Sequence, residues 1–292
     1  MMYNNFVFLL HNNIIDYNIT QYLIYEFVIM IYAFFLTLLA GLATGIGSII
    51  AFVAHRTSRG FFSFTLGLSA GVMLYVSFVE LFDQSRTLFG STWGGQWGEF
   101  GTALFFFVGM GLIGLIDKLV PSFENPHEVR QIESLNNPVK AQEGSLHHMG
   151  ILTALAIAIH NFPEGIATFM AAESNPSLGI AIAVAIALHN IPEGVAVSIP
   201  IYYATGSKKR AFAYSLLSGL AEPFGALLAF LVLMPFMNDV VLGAVMSAVA
   251  GIMVYISIDE LLPAAREYGK PHVAIWGMVV GMMIMAASVI LL

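Results

Sequence analysis

The sequence predicts an all-α polytopic membrane protein with eight membrane-spanning helices. Hydrophobic residues make up 58% of the 292 residues, charged residues make up 10%, and the mean hydropathy is +0.83. A soluble domain has about 45–50% apolar and roughly 25% charged residues, so most of this surface is not suited to water. The apolar residues fall into eight stretches. Each is close to the length of about 20 residues that crosses a bilayer, so the lipid bilayer is an expected partner.

The predicted spans, numbered 1 to 8, leave room for one long loop. They lie at 27–53, 61–83, 102–120, 147–171, 178–203, 211–235, 239–265 and 272–292. Residues 1–26 are predicted to form a polar tail and 27–292 the eight-helix domain, with the loop at 121–146. No separate soluble domain of ordinary size fits in the remaining chain.

The basic residues predict the orientation. If the N-terminus is extracytoplasmic, only Arg86 of the eleven Lys and Arg residues lies on the outer side. The other ten lie on the cytoplasmic side: Arg56, Arg59, Lys118, Arg130, Lys140, Lys208, Lys209, Arg210, Arg266 and Lys270. Cytoplasmic loops carry an excess of Lys and Arg. We therefore expect a multi-pass protein of the inner (plasma) membrane, with both termini extracytoplasmic and the 121–146 loop cytoplasmic.

The composition excludes several classes of function. The chain has no cysteine, which excludes disulfides, thiolate metal sites and cysteine nucleophiles. Its net charge is −7, and the few basic residues form no continuous stripe. Both facts argue against a nucleic-acid partner.

Two sequence repeats suggest an inverted duplication. Ala70–Leu81 (AGVMLYVSFVEL) in span 2 matches Ala250–Leu261 (AGIMVYISIDEL) in span 7 at an offset of 180. In span 1 the segment 41–43 (GLA) matches 219–221 (GLA) in span 6 at an offset of 178. The matched spans run in opposite directions, so spans 1–3 and 6–8 form an inverted repeat around a central pair, spans 4 and 5. Such repeats around a midplane site are typical of transporters.

The central pair carries a repeated polar motif. Residues 160–165 (HNFPEG) in span 4 and 189–194 (HNIPEG) in span 5 are identical at five of six positions. His and Glu, four residues apart, share one helical face. Each proline removes an amide donor and frees the carbonyl four residues back, at Ile159 and Leu188. The freed carbonyls become candidate ligands or path-lining groups.

These motifs, with Glu222 of span 6, predict a midplane cation site. A carboxylate inside a membrane costs about 2.5–3.5 kcal/mol on insertion scales, and no Lys or Arg lies at this depth to compensate. The nitrogen and oxygen ligands suit Zn²⁺ first, then Fe²⁺, Mn²⁺ and Co²⁺, as transported substrates. The candidate ligands are His160, Asn161, Glu164, His189, Asn190, Glu193 and Glu222. They exceed the roughly four ligands of one Zn²⁺, which allows two adjacent ions bridged by Glu164 and Glu193.

Further acidic and histidine residues lie towards the ends of the spans. Glu80 near the outer end of span 2 is a candidate for collecting cations, and Asp259 and Glu260 near the inner end of span 7 for releasing them. Alternatively, they are interface carboxylates in contact with headgroup water. His127, His147 and His148 suggest weak metal capture by the cytoplasmic loop, or else the loop is simply solvated.

The paired HNFPEG and HNIPEG motifs in an eight-span chain resemble the ZIP (Zrt/Irt-like) metal-transporter family, from about residue 30 to the C-terminus. The resemblance implies a binuclear metal site formed by the motifs of spans 4 and 5, with Glu222 as the sixth-span ligand. It also implies transport of Zn²⁺, or of Fe²⁺, Mn²⁺, Co²⁺ or Cd²⁺, into the cytoplasm, without an organic cofactor.

Rival functions stay open at this point. A selective metal channel needs the same ligands as a carrier, and a metal sensor needs only the site. An intramembrane metallohydrolase of the HExxH type would place two histidines on one helix with Glu as the base. Here each helix carries HxxxE, so we expect no enzyme. Glycine-rich faces serve packing within one chain or between two, so a homodimer is left open.

Overall fold

The computed structural model describes residues 17–53, 59–119, 143–267 and 271–291. Within these ranges almost every residue is helical and no strand occurs, which confirms the predicted fold class. Seven of the described helices are long and apolar enough to cross a membrane by length and composition. The remaining long helix, Glu143–Ser174, has 32 residues and carries the first polar motif. The chain is therefore a multi-pass membrane protein.

Five spans are single helices: span 1 is Tyr17–Val53, span 3 Gly95–Leu119, span 4 Glu143–Ser174, span 5 Pro176–Thr205 and span 8 Pro271–Leu291. The other three change helix type along their length. Span 2 is Arg59–Tyr75, a π-helical segment Val76–Leu81, then Phe82–Trp93. Span 6 is Lys208–Gly219, Ala221–Leu228, π-helical Ala229–Leu233 and 3₁₀-helical Met234–Phe236. Span 7 is Asp239–Ile256, π-helical Ser257–Leu261, then Leu262–Glu267.

Several helices are longer than the predicted spans. Span 1 begins at Tyr17 and not at residue 27, span 2 runs on to Trp93, and span 3 begins at Gly95. Helical hydrogen bonding continues past the apolar stretch because polar residues at a membrane surface are also compatible with a helix. Residues 1–16 and 120–142 lie outside the described residues, so the polar tail and the long loop stay predictions.

The short connections follow ordinary turn chemistry. Gly94 joins spans 2 and 3 with φ +79°, a conformation that favours glycine. Asn175 joins spans 4 and 5, and its Oδ1 accepts hydrogen bonds from the amides of Ser177 and Leu178. Pro176 follows as the first helical residue of span 5, where its missing amide hydrogen is not needed.

We expect Asn175→Ala to cost about 1 kcal/mol of stability, because the substitution removes the cap of span 5. Thermal unfolding of the purified protein in detergent measures the change. Asn175→Ser keeps a capping oxygen and should retain most of the stability. Equal losses from both substitutions would contradict a capping role.

The duplicated segments of spans 2 and 7 fold alike. Each ends in a π-helical segment, Val76–Leu81 in one and Ser257–Leu261 in the other. The Ser77 hydroxyl donates to the carbonyl of Met73 at 2.7 Å, and the Ser257 hydroxyl donates to the carbonyl of Met253 at the same distance. Both serines lie at equivalent repeat positions, so the sequence repeat is also a structural one.

Close glycine contacts divide the helices into two sets. Set A contains spans 1, 4, 5 and 6, and set B contains spans 2, 3, 7 and 8. In set A, Gly41 of span 1 and Gly219 of span 6 each lie against the other's carbonyl oxygen. In set B, Gly71 lies against the carbonyl of Met278, and Gly109 against that of Ala248. Within the described residues, every glycine that closely approaches another span stays inside its own set.

The two sets meet mainly where span 5 packs on span 2 and span 4 packs on span 7. Ser69 of span 2 lies at this boundary, and its hydroxyl donates to the carbonyl of His189 at 3.4 Å. The two polar motifs of spans 4 and 5 therefore belong to set A and lie beside set B.

Candidate metal site

The structure brings all the predicted midplane ligands together inside the bundle. Their exposed fractions lie between 0% and 2% for His160, Asn161, Glu164, His189, Asn190, Glu193 and Glu222. Glutamates are almost never fully buried unless they are paired. Burying three of them in one cluster therefore requires compensating partners.

The histidines and glutamates pair across the two central helices. His189 Nε2 lies 3.0 Å from Glu164 Oε2, and His160 Nε2 lies 3.4 Å from Glu193 Oε2. Each pair joins span 4 to span 5. The i, i+4 spacing places His and Glu on one face of each helix, and that face is turned towards the same face of the other helix.

The two asparagines tie the central pair to spans 1 and 6. Asn190 Nδ2 donates to the carbonyl of Ala40 at 2.8 Å, and Asn161 Nδ2 donates to the carbonyl of Ser218 at 3.3 Å. Asn190 also donates to Glu222 Oε1. The asparagines therefore hold set A together at the level of the site.

The Asn161 amide places an oxygen against another oxygen. In this orientation its Oδ1 faces acceptors, and exchanging the amide O and N would let it donate to Glu193 Oε2 at 3.2 Å and Ile157 O at 3.0 Å. In that orientation the Asn161 amide would link span 4 to Glu193 of span 5.

Span 6 is interrupted beside Glu222. The helix stops at Gly219 and restarts at Ala221, with Leu220 between them in a turn conformation. Pro223 explains the break because it has no amide hydrogen to donate to the carbonyl four residues back, that of Gly219. Glu222 therefore lies in the first turn of a new helix, where the dipole favours a carboxylate.

Several buried polar atoms of the cluster have no hydrogen-bond partner among the described residues. They include Glu164 Oε1, His189 Nδ1, Asn190 Oδ1, Glu193 Oε1 and Glu222 Oε2. Buried polar groups are nearly always partnered, and the oxygen and imidazole donors suit a first-row divalent cation. As they stand, no three His, Asp or Glu side chains of the described chain converge at ligand distances. In the described structure the His and Glu side chains of the two pairs contact each other and not a common centre.

The peripheral candidates lie apart from this cluster. Glu80 and Glu260 occupy equivalent places in the two π-helical segments, and both are partly buried. Asp259 is exposed. His127 lies outside the described residues; His147 and His148 lie in the helix of span 4, but their side chains are not described.

Two hydroxyl residues of span 1 were not among the predicted site residues. Thr44 and Ser48 are fully buried, and neither hydroxyl has a hydrogen-bond partner within the described residues. A signal for Thr44 exists in the sequence, because the 178-residue repeat offset aligns it with Glu222.

Comparison with known proteins matches the sequence of this chain to one family. The family described as ZIP Zinc transporter matches residues 124–288. The zinc transporter ZupT of Oceanobacillus iheyensis is 58% identical over 264 residues, which cover 90% of this chain and 98% of that protein. The Streptococcus mutans protein of the same name is 58% identical over 260 residues (89% and 97%), and that of Clostridium perfringens 54% over 271 residues (89% and 95%). On this evidence, the chain belongs to the ZIP family of zinc transporters.

Proposed function

We propose that this chain is a carrier that moves Zn²⁺ across the membrane into the cytoplasm through the buried cluster of spans 4, 5 and 6. ZIP proteins are membrane transporters and not enzymes, and the relatives above are named as zinc transporters. The observation that carries the proposal is the cluster of three buried carboxylates with two imidazoles and two amides. Transport explains why such a costly group of side chains lies inside a membrane protein.

The ligand types support a site of moderate selectivity. The chain has no cysteine, so no thiolate favours soft metals, and Fe²⁺, Mn²⁺, Co²⁺ and Cd²⁺ are expected to compete with Zn²⁺. Glu164 and Glu193 each lie between the two central helices. We propose that they bridge two adjacent ions when the His–Glu pairs open.

The basic residues support the proposed orientation of the chain in the membrane. Four basic residues lie at span ends on one membrane face, which is opposite the face where span 1 starts: Arg59, Lys118, Lys208 and Arg266. This face is cytoplasmic by the positive-inside rule, in an inner membrane. Glu80 then lies towards the outer face, and Asp259 and Glu260 towards the inner one.

The division into two helix sets supports alternating access. The cluster belongs to set A, whose helices interlock through glycine contacts such as Gly41–Gly219. The boundary with set B contains no such glycine contact among the described residues. We propose that set A and set B shift as units, which would expose the cluster to each side in turn.

The test is uptake of radioactive zinc by proteoliposomes that contain the purified full-length chain. A carrier gives saturable uptake, whereas a selective channel gives flux that rises linearly with zinc concentration. Unlabelled Fe²⁺, Mn²⁺, Co²⁺ and Cd²⁺ rank selectivity by competition. Zinc binding without any uptake would contradict transport and favour a metal sensor.

We expect Glu80→Gln to raise the KM for zinc by about threefold at low ionic strength, since an acidic entrance attracts cations. Glu260→Gln should lower the maximal rate by a similar factor and leave KM unchanged. Both effects should shrink only modestly in high salt, because partly buried charges are screened less than exposed ones. Uptake curves at two salt concentrations measure these changes, and unaltered curves for both variants would show that the carboxylates only face headgroup water.

A further inference from the structure

Span 1 contributes a buried hydroxyl next to the cluster that has no assigned role. The Thr44 side chain is fully buried, and its Oγ1 has no hydrogen-bond partner within the described residues. By contrast, the buried Thr37 of the same helix donates to the carbonyl of Ala33 at 2.9 Å. Buried hydroxyls in membrane helices usually make such a bond. Thr44, like Ser48 of the same helix, is therefore an exception that a packing role alone does not explain.

Thr44 is the structural counterpart of Glu222 in the inverted repeat. Both follow the segment Gly-Leu-Ala, at 41–43 and at 219–221. Their surroundings match as well: Gly194 of span 5 lies against the Thr44 carbonyl, and Gly165 of span 4 lies against the Glu222 carbonyl. The repeat symmetry that relates the two halves of the chain therefore makes residue 44 equivalent to residue 222.

The hydrogen bonds of the two asparagines follow the same repeat symmetry. Asn190 donates to the carbonyl of Ala40, and Asn161 donates to the carbonyl of Ser218. Ala40 and Ser218 are again separated by the offset of 178. Asn190 also donates to Glu222, so Thr44 is the residue that corresponds to Glu222 on the Asn161 side.

The space that holds the Glu222 side chain is repeated around Thr44. A Cβ added to Gly41 would contact the Cβ of Glu222, and a Cβ added to its counterpart Gly219 would contact the Cβ and Oγ1 of Thr44. Because a glycine has no side chain, Gly41 leaves space for the side chain of Glu222, and Gly219 leaves space for that of Thr44. The backbone therefore provides two similar places for a ligand, and this chain has a carboxylate in one and a hydroxyl in the other.

We propose that Thr44 is a further binding residue of the transport site, whose neutral side chain keeps a second divalent ion weakly bound. The inference rests on the proposed transport function. With neutral histidines, the three buried carboxylates carry a net charge of −3, so one divalent ion leaves −1 and two leave +1. With a glutamate at residue 44, the four carboxylates and two bound divalent ions would together have no net charge. The neutral Thr44 oxygen still offers a ligand on that side, directly or through water.

Zinc titration of the purified full-length chain, with uptake by proteoliposomes, tests this role. The wild type should bind one zinc ion tightly and a second weakly. Thr44→Glu should bind two tightly, and its maximal uptake rate should fall about tenfold, because an ion must be held weakly enough to leave. Thr44→Val removes only the hydroxyl and should weaken the second ion by about three- to tenfold. Thr37→Val is the matched control and should behave as the wild type.

The outcomes separate the two proposals. Wild-type stoichiometry and affinities in both Thr44 variants would overturn the role of Thr44, and saturable wild-type uptake would leave the transport function standing. Absence of uptake by the wild type would overturn both. If Thr44→Glu yields no folded protein, the isosteric Thr44→Val decides alone: an unchanged second affinity rejects the role of Thr44, and a weakened one supports it.

Discussion

Replacing Glu164 or Glu193 by Gln is expected to lower kcat/KM for saturable zinc uptake by at least about 100-fold. Both glutamates are buried and each pairs with the histidine of the other central helix. When a cation is bound, each carboxylate and the cation form a buried charge pair; removing one partner of such a pair costs about 3–5 kcal/mol, and each 1.4 kcal/mol corresponds to about tenfold in binding. Gln keeps the shape and an oxygen acceptor, so the substitution removes chiefly the charge that holds a cation.

Uptake by proteoliposomes and zinc titration of the same preparation measure the effect. Glu173→Gln is the matched control, because Glu173 lies on the same helix of span 4 but near its end, away from the cluster. It should leave KM and the maximal rate unchanged. Size-exclusion profiles identical to that of the wild type establish that the variants are folded. Normal saturable uptake by both site variants would remove the cluster from the transport path.

Most of the cluster could be predicted because the chemistry repeats in the sequence. Two HNxPEG segments at an offset of 29 indicate matched roles, and the membrane environment makes their carboxylates costly without a cation. Glu222 could be added because it is a third carboxylate inside an apolar span. These inferences need only spacing, hydropathy and charge.

The partners of those residues could not be predicted in the same way. Residue spacing places His160 and Glu164 on one face of a helix, but which His pairs with which Glu depends on how spans 4 and 5 pack. In the structure each pair crosses between the helices. The π-helical segments of spans 2 and 7 are equally hidden, since their sequences contain no proline or glycine to mark a change of helix type.

The role of Thr44 could be predicted from the sequence only in part. The repeat alignment was visible in the sequence, but a threonine in an apolar helix is usually only a packing residue. Its meaning depends on the contacts that equate it with Glu222 and on a hydroxyl without a partner in the described chain. An alignment of the two halves of one chain is therefore stronger evidence for equivalent roles when the aligned residues also make equivalent contacts.

The helix sets lead to the second large effect. We expect Gly47→Val to prevent folding or to abolish transport, because a Cβ at residue 47 would overlap the carbonyl oxygen of Ile191. Overpacking typically costs about 1–3 kcal/mol, and more where the obstructing atom belongs to a helix backbone that cannot move aside. Gly225 is the repeat counterpart of Gly47 and lies against the carbonyl of Phe162 in the same way, so Gly225→Val should be equally damaging.

Thermal unfolding in detergent and the yield of monodisperse protein measure the loss. Gly111→Val is the matched control, because Gly111 is also helical and a Cβ there would meet nothing within 4 Å in the described structure. It should retain stability and uptake. If Gly47→Val were instead as stable and active as Gly111→Val, spans 1 and 5 could not pack as closely as described. Set A would then lose one of the close contacts that join span 1 to the helix carrying His189 and Glu193, and the proposal that the site moves as one unit with span 1 would be weakened.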